Sequence, residues 1–174
     1  MSAPEPPLPP GAAASHLRQG AFTGREDFRQ LVRDALACAA SEGWSELILC
    51  DASFEDWPLD ERAVVDSLGA WAKTGRSMTF MARRYDEVQR RHARLVNWRG
   101  RWSHITTAWA CPSAQVLEFP SVLWSPQWVL ERHDTERCTG QCGSEPLRRL
   151  RSREVLSEWA KKSGPGFPAS VLGL

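Results

Sequence analysis

Two stretches of the sequence concentrate side chains that could do chemistry, and they carry opposite charge. From position 44 to 61 stand Glu46, Asp51, Glu55, Asp56, Asp60 and Glu61, with no lysine or arginine between them. Asp51 closes a short apolar run, residues 46–51 (ELILCD). If that run is a strand of an open α/β sheet, Asp51 stands beyond its carboxyl end, where such sheets hold catalytic or magnesium-binding carboxylates. The plainer reading makes Asp51 the acceptor in a turn and Asp60 a helix cap, with the other acids solvated, and the abundance of single carboxylates at strand ends favours it. The place two positions on, where phosphoaspartyl chemistry would put a second aspartate, is occupied by Ser53.

The other stretch, residues 84–102, is basic. From Arg83 to Arg101 seven arginines stand against Asp86 and Glu87, a balance of +5, and His92, Trp98, Trp102 and His104 lie among or just after them. Arginines that reach phosphates, interleaved with aromatics that stack on bases, are the equipment of a nucleic-acid surface. Arg90, Arg91, Arg94, Arg99 and Arg101 with Trp98 are the residues for that role, or for a smaller phosphate-containing ligand. The competing reading is the solvated face of an amphipathic helix, because the tryptophans coincide with the apolar stripe. A third pairs this helix with the acidic stretch of the same molecule or of a partner. A diverged phosphohydrolase would use Asp51 with His104 and a metal ion.

Other chemistries lack their sequence marks. There is no GxGxxG, GxxxxGK[ST] or GxSxG, so glycine-loop nucleotide binding and a nucleophile elbow are unsupported. The five cysteines are odd in number, and Cys138-x3-Cys142 has no histidine at zinc-finger spacing, His133 being five positions away. That pair reads as flanking a hairpin turn, and neither a metal nor another cofactor is expected. Cysteine usage and the lack of a leader pattern point to a reduced, cytoplasmic protein, and no stretch approaches the roughly 18 apolar residues of a membrane helix. With 174 residues, 42% hydrophobic and net charge +1, the chain has enough material for one core and little long-range field.

The elements that must position these residues follow from periodicity. Residues 1–20 carry Pro4, Pro6, Pro7, Pro9 and Pro10 with no apolar pattern, and read as a disordered arm ahead of a single domain over 21–174. Thr23-x-x-Glu26 has capping-box spacing before a helix with Phe28, Leu31, Val32, Ala35, Leu36 and Ala39 inward, stopped at Gly43. Residues 46–51 form a buried strand, Asp60 caps a helix bearing Val64, Leu68 and Ala72, residues 77–82 (SMTFMA) form a second buried strand, and a third helix of about five turns spans 85–102. This alternation predicts an α/β fold with a largely parallel sheet and flanking helices. Beyond His104, residues 105–110, 116–119, 121–124 and 128–132 are short strand-like runs joined by tight, proline-bearing turns, and Ser144 caps a last helix with Leu147, Leu150, Val155, Leu156 and Trp159.

On that order the C-terminal half resembles one half of the phospholipase D-like superfamily, and the chain from Phe22 onward is similar to a bacterial family of that shape. The residues that carry the resemblance are 47–59 (LILCDASFEDWPL), 80–83 (FMAR), 97–104 (NWRGRWSH), 121–124 (SVLW) and the closing Phe167-Pro168 with Leu172-Gly173-Leu174. Active members use His-x-Lys-x4-Asp, the histidine attacking phosphorus. Placed on the run 119–125, that motif falls on Glu118, Pro120 and Ser125, none of which matches. A glutamate and a proline supply neither the nucleophile nor the cation that phosphodiester transfer requires. The resemblance therefore implies the fold without the activity: a non-catalytic binding or assembly domain. It also implies a homodimer, since members bring two halves together across a shared cleft. Nothing in the sequence suggests a membrane partner.

Overall fold

The computed structural model describes residues 16–167. Strand β1 (Gly20–Thr23) leads into α1 (Arg25–Glu42), whose Phe28, Leu31, Val32, Ala35, Leu36 and Ala39 form the buried stripe that the spacing predicts. The helix ends at Gly43, which takes the left-handed conformation at φ 66°, where a side chain would be strained. The capping box does not form. Thr23 is the last residue of β1, paired with Thr139, and Glu26 instead binds Arg33 at 3.1 Å. The expected arm lies outside the described residues as far as position 15, but residues 16–20 belong to the folded body. Leu17 is buried in the core, and Gln19 holds Ser144 through both its backbone N–H (2.8 Å) and its hydroxyl (2.7 Å).

Next come β2 (Glu46–Cys50), α2 (Arg62–Ala72), β3 (Ser77–Ala82), α3 (Asp86–Arg91), α4 (Ala93–Arg101) and β4 (Thr106–Ala110). The single long helix expected over 85–102 is broken at His92 (φ −121°, ψ 54°). His92 is buried with Nε2 2.8 Å from the Phe54 carbonyl, and Asp60 does not cap α2 but accepts the backbone N–H of Arg94 at 3.0 Å. Asp60 thus satisfies one of the free donors in the first turn of α4 from across the structure.

The rest of the chain is β5 (Ser121–Trp124), β6 (Val129–Asp134), β7 (Thr139–Gly143), α5 (Pro146–Lys161) and the short β8 (Gly164–Pro165). All strands join one sheet in the order β1-β7-β6-β5-β2-β3-β4-β8. The expectation of a largely parallel sheet is wrong. Only β2·β3 and β3·β4 are parallel, and the other five pairings are antiparallel. The cause is connection length: β5 to β6 and β6 to β7 are each joined by four residues (125–128 and 135–138), whereas a parallel crossover needs a dozen or more. Residues 116–119, expected as a strand, lie in a turn before β5.

Alternate residues of β2 serve two cores. Leu47 and Leu49 join the large one with α1, α2, α3 and α4 on one face of the sheet; Ile48 and Cys50 join the smaller one with Leu156 of α5 on the other. Cys138 and Cys142, expected beside an exposed turn, are both buried, because the turn falls at 135–138 and places Cys142 inside β7.

Candidate functional site

Asp51 follows β2 as expected, but it is interior. Its Oδ2 accepts the backbone N–H groups of Ser53 (3.1 Å) and Phe54 (2.8 Å), and its Oδ1 accepts Arg132 Nη2 at 2.9 Å. The Arg132 side chain is 2% exposed. It also donates to Asp56 (3.2 Å), Ser121 Oγ (3.1 Å) and Cys138 Sγ (3.2 Å), with its guanidinium carbon 4.4 Å from the centre of the Phe28 ring. Burial opposes the charge of Arg132, yet Asp51 and Cys138 leave its pKa above the ordinary arginine value. Asp51 therefore holds a turn and a buried ion pair, with no oxygen left open to a substrate or magnesium.

The partner proposed for Asp51 in a phosphohydrolase is out of reach. β2, β3 and β4 run parallel, Asp51 follows the end of β2, and exposed His104 precedes the start of β4. The two stand at opposite ends of the sheet, separated by about 16 Å of strand, so no Asp51–His104 metal centre exists.

Part of the basic stretch pairs with the acidic one, as the self-pairing reading expects: Glu55 and Asp60 reach Arg91 and Arg94. Arg90 and Arg91 both bind Glu87 (3.0 and 2.7 Å), and Arg91 also reaches Glu55 at 3.3 Å. Arg94 binds Asp60 through its carbonyl (2.9 Å) and carboxylate (3.4 Å). Arg99 is buried: it donates to the hydroxyl and carbonyl of Thr106 and to the Phe167 carbonyl, and burial lowers its pKa. Trp98 is buried edge-on to Phe80 and is not a stacking platform. Of the arginines singled out, Arg101 alone is exposed without an ion-pair partner among the described residues.

Arg101 opens onto a feature that the charge count along 84–102 misses. A groove of about 530 Å³ runs between α2 and α4. On the α2 side Arg62, Asp66, Gly69 and Lys73 line it at i, i+4, i+7 and i+11; on the α4 side stand Arg94, Asn97 and Arg101, with half-buried Trp102 at the end. Arg62, Lys73 and Arg101 form no ion pair among the described residues, and Asp66 is the sole acid of the lining. Three cations against one acid, beside an indole and an amide, are suited to a row of phosphates. The signal for Arg62 and Lys73 was the polar stripe at helical spacing on an otherwise apolar helix.

A second groove, about 540 Å³, lies on the opposite face between α5, the turn before β5, and strands β5 and β6. Glu118 and Pro120, the places of the motif's histidine and lysine, line it, whereas Ser125 is buried in the β5–β6 turn with its Oγ accepting the N–H of Trp128 at 2.9 Å. Within it Glu131 accepts the Ser152 hydroxyl and stands 3.6 Å from Arg148 and 3.5 Å from His133, while Glu118, Glu145 and Arg151 form no ion pair among the described residues.

No protein-family model matches the chain, and no curated protein does. Among solved structures the chain is similar to TrmBL2, an archaeal chromatin protein whose structure shows a novel mode of DNA binding. The TM-score is 0.63 over 86% of this chain, at 13% sequence identity. The likeness is one of fold, and the chain spans about half of that protein (55%). Among the described residues no helix is long and apolar enough to cross a membrane.

Proposed function

We propose that the chain is a nucleic-acid-binding domain whose contact surface is the groove between α2 and α4. The observation that carries this reading is the row Arg62, Lys73 and Arg101, three cations that have no ion-pair partner among the described residues and that line one groove in a chain whose net charge is only +1. Elsewhere on the basic helix, carboxylates already occupy Arg90, Arg91 and Arg94. The DNA binding described for the similar chromatin protein supports the same class of partner. Contacts of this type read phosphates rather than sequence, with Trp102 placed to stack on a base or sugar at the groove end. The unbridged cysteines support a reducing, cytoplasmic setting.

The test is charge reversal at two exposed positions. Lys73→Glu with Arg101→Glu removes two phosphate contacts and adds repulsion, so affinity for a nonspecific duplex in fluorescence anisotropy should fall by more than about tenfold. The same exchange at Arg90 and Arg91, whose partner is Glu87, should change it far less. Equal losses from the two pairs would remove the groove from the account.

A second reading, assembly into a homodimer, is favoured by a separate observation. Val116, Leu117, Leu147, Leu150 and Val155 are all exposed and lie on or beside the second groove, Leu117 at 87%. Leu147, Leu150 and Val155 share the outward side of α5 with Arg151, Glu154 and Glu158, a mixed-charge face that an antiparallel copy of itself would complement. Sedimentation equilibrium at micromolar concentration should give twice 19.5 kDa, and Leu147→Asp with Leu150→Asp should give the monomer. A monomer in the unsubstituted chain would end this reading and leave the groove on the other face untouched.

A further inference from the structure

The stretch that precedes β1 meets the C-terminal half of α1 through three side chains that neither the charge pattern nor the grooves account for. His16, Cys38 and Glu42 each offer a ligand atom, and the three atoms lie within 4.8 Å of one another. Cys38 and Glu42 are four residues apart on α1 and so share one face of the helix. His16 comes from the other side of the contact, on a backbone segment anchored to the body. Leu17 beside it is buried, and the Arg18 carbonyl accepts both the Trp128 indole N–H (3.0 Å) and the Cys142 thiol (3.2 Å).

Glu42 is a half-buried carboxylate with no lysine or arginine paired to it among the described residues. Its Oε1 accepts the Cys38 thiol at 3.1 Å and its Oε2 accepts the Trp44 indole N–H at 3.0 Å. A carboxylate held by two neutral donors beside a thiol and an imidazole lacks the cation that would balance it. The donor set of one sulfur, one imidazole nitrogen and one carboxylate oxygen is the mixture that selects zinc over magnesium or calcium.

We propose that His16, Cys38 and Glu42 form a zinc site with three protein ligands and a water in the fourth position. Donor atoms around tetrahedral zinc stand about 3.5 Å apart, given bonds of about 2.0 to 2.3 Å. Cys38 Sγ and Glu42 Oε1 already stand 3.1 Å apart, so the approach, at most about 1.3 Å, falls to the side chain of exposed His16. On binding, the Cys38 S–H bond breaks, its proton leaves to solvent, and the sulfur bonds the metal. Glu42 Oε1, released from the thiol, becomes a ligand, while Oε2 keeps the Trp44 indole as an outer partner that fixes the carboxylate. The site would fasten the segment entering β1 onto the end of α1.

Cobalt titration of the full-length chain tests this, because Co2+ reports its own ligands. One equivalent should bind with a thiolate-to-cobalt charge-transfer band and the visible bands of tetrahedral cobalt, and an equivalent of Zn2+ should bleach both. Cys38→Ala should abolish the charge-transfer band. His16→Ala, at an exposed position that the fold does not need, should weaken cobalt binding by about tenfold or more. No thiolate band at equimolar cobalt would overturn the site, as would a titration that His16→Ala leaves unchanged. None of these readouts involves nucleic acid, so the outcome stands apart from that of the groove.

Discussion

An Arg132→Met chain should lose about 3–5 kcal/mol of stability, the usual cost of stranding one partner of a buried ion pair. For a chain of this length that corresponds to a fall in melting temperature on the order of 10 °C. The side chain is 2% exposed and holds Asp51, Asp56, Ser121 and Cys138 together at the junction of β2, β5, β6 and the turn before β7. Methionine has similar length, so the loss reflects charge more than a cavity. What remains is a buried Asp51 whose other oxygen still restrains the turn in which Phe54 takes φ 61°. Adding Asp51→Asn should recover part of the loss, because the amide oxygen can still accept from Ser53 and Phe54 while the stranded charge is gone. Urea unfolding followed by tryptophan fluorescence measures both. A loss within about 1 kcal/mol, the range of exposed pairs, would mean that water reaches the Arg132–Asp51 contact.

Gly140→Ala should be the other severe substitution. A Cβ at that position would stand 1.9 Å from the Glu131 carbonyl oxygen and 2.9 Å from Arg132 Cα. Both obstacles are backbone, so no side chain can swing aside, and β6 and β7 must part where Arg132 pairs with Gly140, next to the register shift between Arg132 and Asp134. The cost should reach or exceed about 3 kcal/mol, the upper part of the range for overpacking. Gly164→Ala is the control. Its Cβ would meet nothing within 4 Å, and the change should stay within about 0.5 kcal/mol. Equal midpoints for the two variants would contradict the close approach of β6 and β7.

The first half of the fold was legible because its signals are local. The stripe from Phe28 to Ala39, the stop at Gly43 and the buried runs of β2 and β3 each follow from side chains within one element. The largely parallel sheet was an extrapolation from that half. The corrective signal lay in the tight turns around Pro126 and before Cys138, which are too short for crossovers. The fate of the basic helix was harder to read because charge counted along a helix says nothing about carboxylates brought from far away in sequence. Glu55 and Asp60 reach Arg91 and Arg94 from 36 and 34 residues upstream, and Asp51 meets Arg132 across 81 residues. Arg62 and Lys73 escaped notice for the converse reason: as two cations on an apolar helix they gain meaning only when α4 is laid beside them.

The central claim is that the α2–α4 groove holds a phosphate backbone, and the salt dependence of binding tests it most directly. Anisotropy of a labelled nonspecific duplex, titrated with the full-length chain across a series of salt concentrations, gives log Kobs against log [salt]. Three phosphate contacts, from Arg62, Lys73 and Arg101, predict a slope of about −2.7, with binding strongest at low ionic strength. The Lys73→Glu, Arg101→Glu chain should flatten that slope toward about −0.9, the value for one remaining contact. No binding at micromolar protein in about 0.05 M salt, or binding indifferent to salt, would contradict the account.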